Sequence, residues 1–157
     1  VAVMLAAREY SSVEDILKTA EERNETPFII ICDEIEDPHN LGAIIRTAEC
    51  CGVHGIIIPK RRSASLNPTV AKTSAGALEY MKVARVTNIA NTIDLLKSKG
   101  VWVFGADMDG EDFKRTDYTV PCAIVIGNEG KGIGALTALR QDFLCTKYSE
   151  TEISVGE

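Results

Sequence analysis

The sequence predicts an α/β domain, a mostly parallel sheet with helices on both faces. Three observations predict it. Short runs of consecutive apolar residues alternate along the chain with segments of helical periodicity. Within those runs apolar residues follow one another without polar interruption, so each strand is to be covered on both faces, as strands of parallel sheets are. At 157 residues the chain can build one layered core but not two domains of ordinary size.

Taken in order, Val13 to Ala20 carries a helical pattern, started by Ser11 or Ser12 as N-cap with acidic residues in the first turn. Phe28 to Cys32 reads as a buried strand, and Leu41 to Cys51 as a helix closed by Gly52. Gly55 to Ile58 is the second strand. Asn67-Pro68 starts a helix that runs to about Ala75 or Gly76, because Asn caps and Pro at the first helical position has no amide hydrogen to waste. Met81 to Val86 is a third strand, Asn88 to Lys99 a helix ended by Gly100, and Val101 to Gly105 a fourth strand. A polar, turn-rich stretch from Ala106 to Thr119 precedes a fifth strand, Cys122 to Ile126, and helix signal resumes from about Ile133 to Arg140.

Composition narrows the functional classes. Apolar residues make up 45% and charged residues 25%, which argues against a disordered or fibrous chain. No apolar run is long enough to span a bilayer, and the apolar start lacks signal-peptide architecture, so a soluble cytoplasmic protein with no membrane partner is expected. Five cysteines form no CxxC pair, and His39 and His54 share no ligand spacing, so neither a disulfide framework nor a metal site is expected. Cys50 and Cys51 read as small core residues at a helix end. The 17 basic and 23 acidic residues leave a net charge of −6, so any nucleic-acid surface must be local. Lys60-Arg61-Arg62 is the basic cluster, with Arg46, Lys72 and Lys131 as contributors if the fold gathers them; the plain alternative is a solvated loop.

Two strand-end segments can carry chemistry. In the first, Asp33 to Gly42, Pro38 holds a turn and Asn40 can cap the helix that bears Arg46. Gly42, on the same helical face as Arg46, leaves that face open to close approach. A guanidinium at Arg46 either grips a phosphate or carboxylate or is an ordinary surface cation. In the second, Gly127 to Gly134, four glycines in eight residues permit positive φ and bring amides close to a ligand, or simply make a turn. Neither a Walker A motif nor a GxGxxG fingerprint is present. Glu129 reads as a buried anchor, a contact to a cation or base edge, or a solvated carboxylate. Gly105-Ala106-Asp107 ends its strand as a second place for a ligand, or as a plain turn.

Together and in this order, Asp37-Pro38-His39-Asn40-Leu41-Gly42-Ala43-Ile44-Ile45-Arg46-Thr47-Ala48 and Ile124-Val125-Ile126-Gly127-Asn128-Glu129-Gly130-Lys131-Gly132-Ile133 resemble the first two signature motifs of the SpoU/TrmH family of RNA 2'-O-methyltransferases. Pro59 to Arg62 and Ala71 to Ala77 are similar to the branch that methylates guanosine in large-subunit ribosomal RNA. The resemblance implies a deep C-terminal trefoil knot, an S-adenosylmethionine site in the knotted loops, a homodimer, and RNA as partner, ribosomal rather than transfer RNA. By resemblance Arg46, Asn40 and Glu129 are catalytic. Gly105, Ala106, Asp107, Ile126, Gly127, Asn128 and Gly130 would hold the methyl donor, and Lys60, Arg61, Arg62, Lys72 and Lys131 the RNA; no metal is implied. The resemblance implies that residues 1–23 are a linker or N-terminal arm, the end of a linker that follows an RNA-binding domain in members of this branch, with that domain absent here, and that residues 24–157 are the catalytic domain. From Thr146 onward the family's third motif is not recognisable. That departure favours, as an alternative, a non-catalytic RNA-binding or ribosome-assembly module; a nucleotide-phosphate enzyme built on the glycine loop lacks the Lys-Ser/Thr it would need.

Overall fold

The structure, a computed structural model, describes residues 9–107, 113–128, 130–134 and 143–146. Its strands are β1 (Phe28–Asp33), β2 (Gly55–Pro59), β3 (Val83–Val86), β4 (Trp102–Asp107), β5 (Cys122–Gly127) and β6 (Phe143–Thr146). They form one sheet in the order β3-β2-β1-β5-β4-β6, and every ladder is parallel. The expected parallel sheet is therefore present. All five predicted strands recur with shifted ends: Met81 and Lys82 precede β3, and β4 and β5 run further toward their loops.

Side-chain alternation along β1 divides the core in two. Ile30 and Cys32 face one side, with Leu41, Ile45 and Ala48 of α2 (Pro38–Cys50) and Val70 of α3 (Pro68–Thr73). Ile29 and Ile31 face the other, with Val13 and Ile16 of α1 (Val13–Glu22) and Ile89, Ile93 and Leu96 of α4 (Ile89–Ser98). Helices thus cover both faces, and the unbroken apolar strands follow from that double burial. Part of the segment expected as a linker is a layer of this core. Ile16 is fully buried, and truncating it to Ala would cost about 2–5 kcal/mol. A reciprocal capping box starts α1: Ser12 Oγ accepts from Asp15 N at 3.1 Å, and Asp15 Oδ2 accepts from Ser12 N at 2.9 Å.

Several local expectations are corrected. Cys50 and Cys51 are exposed rather than core, because the inward stripe of α2 runs Leu41, Ile45, Ala48 and helical spacing turns positions 50 and 51 away from it. The helix begun at Asn67-Pro68 ends at Thr73, followed by left-handed Ala75 and Gly76 and a short 3-10 turn at Ala77–Glu79. Ile133 and Gly134 are not helical; the rest of the helix expected to Arg140 lies outside the described residues. So does most of the segment on which the knot was expected, of which Phe143–Thr146 is described as β6, hydrogen-bonded beside β4.

Candidate functional site

β1 and β5 are central neighbours with Asp33 paired to Gly127 at their carboxyl ends, so the two segments singled out in the sequence emerge side by side. Beyond β1 the chain turns through α2 toward β2, whereas β5 leads toward β6 on the opposite side. Such a divergence is where open α/β sheets place a crevice for ligand. β4 adds Gly105-Ala106-Asp107 to the same edge, with Gly105 paired to Val125.

The glycine loop is folded on itself and fastened to β1. Asn128 and Gly132 exchange backbone hydrogen bonds of 3.1 and 2.8 Å, with Gly132 at φ +68°, the left-handed conformation glycine adopts without strain. Gly127 serves a different need: a Cβ there would stand 2.3 Å from the Gly132 carbonyl carbon, so the closure leaves no room for a side chain. Asn128 Oδ1 accepts from Gly130 N at 2.8 Å and Lys131 N at 3.2 Å, while its Nδ2 donates to Glu34 O at 3.1 Å. Gly134 N donates to buried Asp33 Oδ2 at 2.7 Å. One carboxamide and one carboxylate thereby lock the two segments together. Glu129, within this loop, lies outside the described residues.

On the other segment the N-cap of α2 is Asp37, not Asn40: Asp37 Oδ1 accepts from His39 N at 2.8 Å and Pro38 takes the first helical position. Asn40 sits in the first turn, half-buried. Gly42 does not leave a face open to ligand. It is buried against α3, and a Cβ added there would meet Thr73 Cβ at 2.6 Å. Its role is helix packing. Arg46 is exposed, about 12 Å along the axis from the start of α2. Thr73 Oγ1 donates to Thr69 O at 2.8 Å and approaches His39 Nδ1 at 3.4 Å, tying α3 to the first turn of α2.

The basic residues Lys60, Arg61, Arg62, Lys72 and Lys131 are all exposed. Lys60 to Arg62 follow β2 at the carboxyl edge, and Lys131 rides on the glycine loop, whereas Lys72 lies on α3. Arg62 pairs with Glu34 at 3.2 Å, both at positive φ, which offsets one charge of the triplet. Ala106, Asp107, Ile126, Gly127 and Asn128 form a half-buried strip along the ends of β4 and β5. Such a strip, of main-chain groups with mostly small or apolar side chains, suits a flat heterocycle and a weakly hydrated cation better than a metal ion. Among the described residues no three His, Cys, Asp or Glu side chains are grouped to hold a metal, and no helix is long and apolar enough to cross a membrane.

Sequence reasoning missed Asp33 as the fastening of the glycine loop, and the side chain of Asn128 as its brace. An acid at the end of an apolar strand is a signal for the first. The second could not be read, since Asn128 and Glu34 lie 94 residues apart.

Comparison with known proteins gives the same grouping. Residues 27–147 match the SpoU rRNA Methylase family. The Bacillus subtilis protein YacO, assigned to the TrmH family of tRNA/rRNA methyltransferases, is 54% identical over 145 residues, which are 92% of this chain and 58% of that protein. The chain therefore spans less than two thirds of this relative. The SpoU methyltransferase AviRb from Streptomyces viridochromogenes, solved in complex with the cofactor AdoMet, superposes with a TM-score of 0.74 at 25% identity, covering 85% of this chain and 52% of that one. An rRNA methyltransferase from Sinorhizobium meliloti gives 0.75 at 27% identity, covering 91% and 53%.

Proposed function

The chain belongs to the SpoU rRNA methylase family, and from that premise we propose that it transfers a methyl group from S-adenosylmethionine to a ribose 2'-hydroxyl of RNA, at a guanosine of large-subunit ribosomal RNA. The observation that carries this reading is the fastening of the glycine loop to the end of β1 through Asp33 and Asn128, which makes one crevice of two segments distant in sequence. AviRb, with its bound AdoMet, is the relative that suggests the donor. The ends of β4 and β5, Gly105 to Asp107 and Ile126 to Gly130 without the undescribed Glu129, are the proposed donor cradle.

The bound donor supplies a methyl group on a sulfonium, open to in-line attack by oxygen. What the chain must add is alignment of the hydroxyl and an exit for its proton. Arg46 stays protonated at ordinary pH, so it is assigned to gripping the target phosphate and orienting the hydroxyl rather than to taking the proton. Asn40 and Glu129 are assigned to fixing the nucleotide and bracing Arg46. Lys60, Arg61, Arg62, Lys72 and Lys131 are assigned to RNA backbone, where contacts position without reading sequence. The proposed homodimer is part of the same reading: Arg46 stands about two helical turns along α2 from its start, exposed to a second copy. The implied knot, through residues beyond Gly134, would close the cradle.

Arg46→Ala is expected to abolish transfer of labelled methyl groups into ribosomal RNA while leaving the thermal midpoint unchanged; undiminished turnover would remove its assignment. The departure from the third motif after Thr146 favours a second reading, a non-catalytic RNA-binding or ribosome-assembly module. Calorimetric titration with S-adenosylmethionine decides between them, since RNA binding without donor binding is the result that module predicts.

A further inference from the structure

Outside the crevice the structure pairs a cation with an aromatic ring at the sheet edge. The carbon at the centre of the Arg85 guanidinium lies 4.4 Å from the centroid of the Tyr10 ring. Tyr10 is held in turn, because its hydroxyl oxygen accepts from Leu66 N at 3.1 Å and the adjacent Ser11 forms a parallel bridge to Ala84. The residues just before α1 thus run along β3 and end beneath an arginine.

Arg85 is exposed, and among the described residues no carboxylate pairs with it. Strand register places it opposite Ile58, with Val86 opposite Pro59, and Lys60 N donates to Val86 O at 2.9 Å. Arg85 therefore adjoins the turn that carries Lys60 and Arg61. At a strand spacing of about 4.8 Å, β3 lies about 10 Å from β1, a distance that an extended RNA strand covers within a couple of nucleotides. Among the described residues Lys60 and Arg61 likewise have no carboxylate partner, so with Arg85 they form a local basic surface in a chain of net charge −6. A guanidinium already laid on a ring also loses less side-chain freedom when it meets a phosphate or a base.

We propose that Arg85, supported by Tyr10, is a further RNA-binding position that extends the Lys60-Arg61 surface along the edge of the sheet and holds the sugar-phosphate chain flanking the target nucleotide. The inference rests on the proposed RNA substrate. The Tyr10 ring supports the guanidinium, and its hydroxyl ties that platform to the start of α3.

The test is binding of a fluorescein-labelled single-stranded RNA of about 20 nucleotides to the whole chain across a series of salt concentrations. Arg85→Ala is expected to weaken binding about five- to tenfold and to lower the salt slope by about 0.7, the value of one phosphate contact on a single strand. Arg85→Lys should restore the slope but only part of the affinity, and Tyr10→Ala should weaken binding with less change in slope. Lys18→Ala, on α1 across the sheet, should change neither, and thermal melting confirms that each variant is folded. If the unaltered chain binds RNA and Arg85→Ala binds it with the same affinity and slope, or if Lys18→Ala lowers the slope equally, this proposal is overturned while the parent reading stands. If the unaltered chain binds no RNA, both fall.

Discussion

The amide of Gly134 donates to the carboxylate of Asp33 at 2.7 Å across 101 residues of chain, and with this contact the end of β1 becomes the anchor of the glycine loop. Replacing Asp33 by Ala removes this hydrogen bond to a carboxylate, at a cost of about 1.5–3 kcal/mol. Asp33→Asn retains an acceptor oxygen and should recover part of that loss. On the proposed function, affinity for S-adenosylmethionine should fall roughly tenfold in Asp33→Ala and less in Asp33→Asn, a cost within the range of such a lost hydrogen bond. Equal donor affinity in all three proteins would show that the loop does not depend on this anchor.

Gly127→Ala tests the closure of the same loop. The added methyl would stand 2.3 Å from the Gly132 carbonyl carbon, so backbone must move, at about 1–3 kcal/mol for overpacking. A lower thermal midpoint is expected, with faster hydrogen exchange at the amides of Gly130 and Gly132. A midpoint equal to that of the unaltered chain would mean that the loop is not closed in this way.

The cysteines should separate into two classes. Burial pushes the Cys32 thiol up to about 12, leaving about one part in ten thousand as thiolate at pH 8. Cys122 is raised as well, by burial first and then by the nearby Asp117 carboxylate. Cys50 and Cys51 are exposed. Iodoacetamide followed by peptide mass mapping should mark Cys50 and Cys51 within minutes on the folded protein, and Cys32 only after denaturation. Rapid native labelling of Cys32 contradicts its burial beneath α2.

Acid should weaken the start of α1. Backbone and side-chain hydrogen bonds from Ser12 hold the Asp15 carboxyl below its usual value of 3.8. A carboxyl lowered on folding contributes stability above its unfolded value, and the contribution is lost as pH falls through the lowered folded value. Asp15→Asn should therefore melt below the unaltered chain at neutral pH, and the two curves should converge as pH falls through that lowered value. A gap that persists unchanged in stronger acid would assign the effect to something other than this ionisation.

Legibility in the sequence follows the range of the interaction involved. Strands β1, β2 and β5 are readable because consecutive apolar residues leave little choice but burial on both faces. Asn67-Pro68 is readable as a helix start for a local reason, a capping side chain directly before a proline. The identical logic holds at Asp37-Pro38, where a proline at the first helical position puts the cap earlier than the expected Asn40. Gly42 and Gly127 invite a reading by what they could admit, whereas each is filled by its own chain, by Thr73 and by Gly132. Thr73 is distant in sequence, and Gly132 meets Gly127 only once the loop has closed. The short β6 is not anticipated, since so brief a strand gives no periodicity and its pairing with β4 depends on the whole sheet. Of the site, the two segments and their common sheet end are legible; the carboxylate and carboxamide that join them are not.

The place of β5 between β1 and β4 has a consequence for synthesis. Phe28 waits for Cys122, so one flank of the first-made strand stays bare until the fifth has left the ribosome. At ordinary elongation speeds that interval is roughly 5–20 s. A nascent chain paused within it presents a row of unsatisfied amides and carbonyls to whatever is near. The exposure of this fold during synthesis thus falls at its centre rather than at its rim.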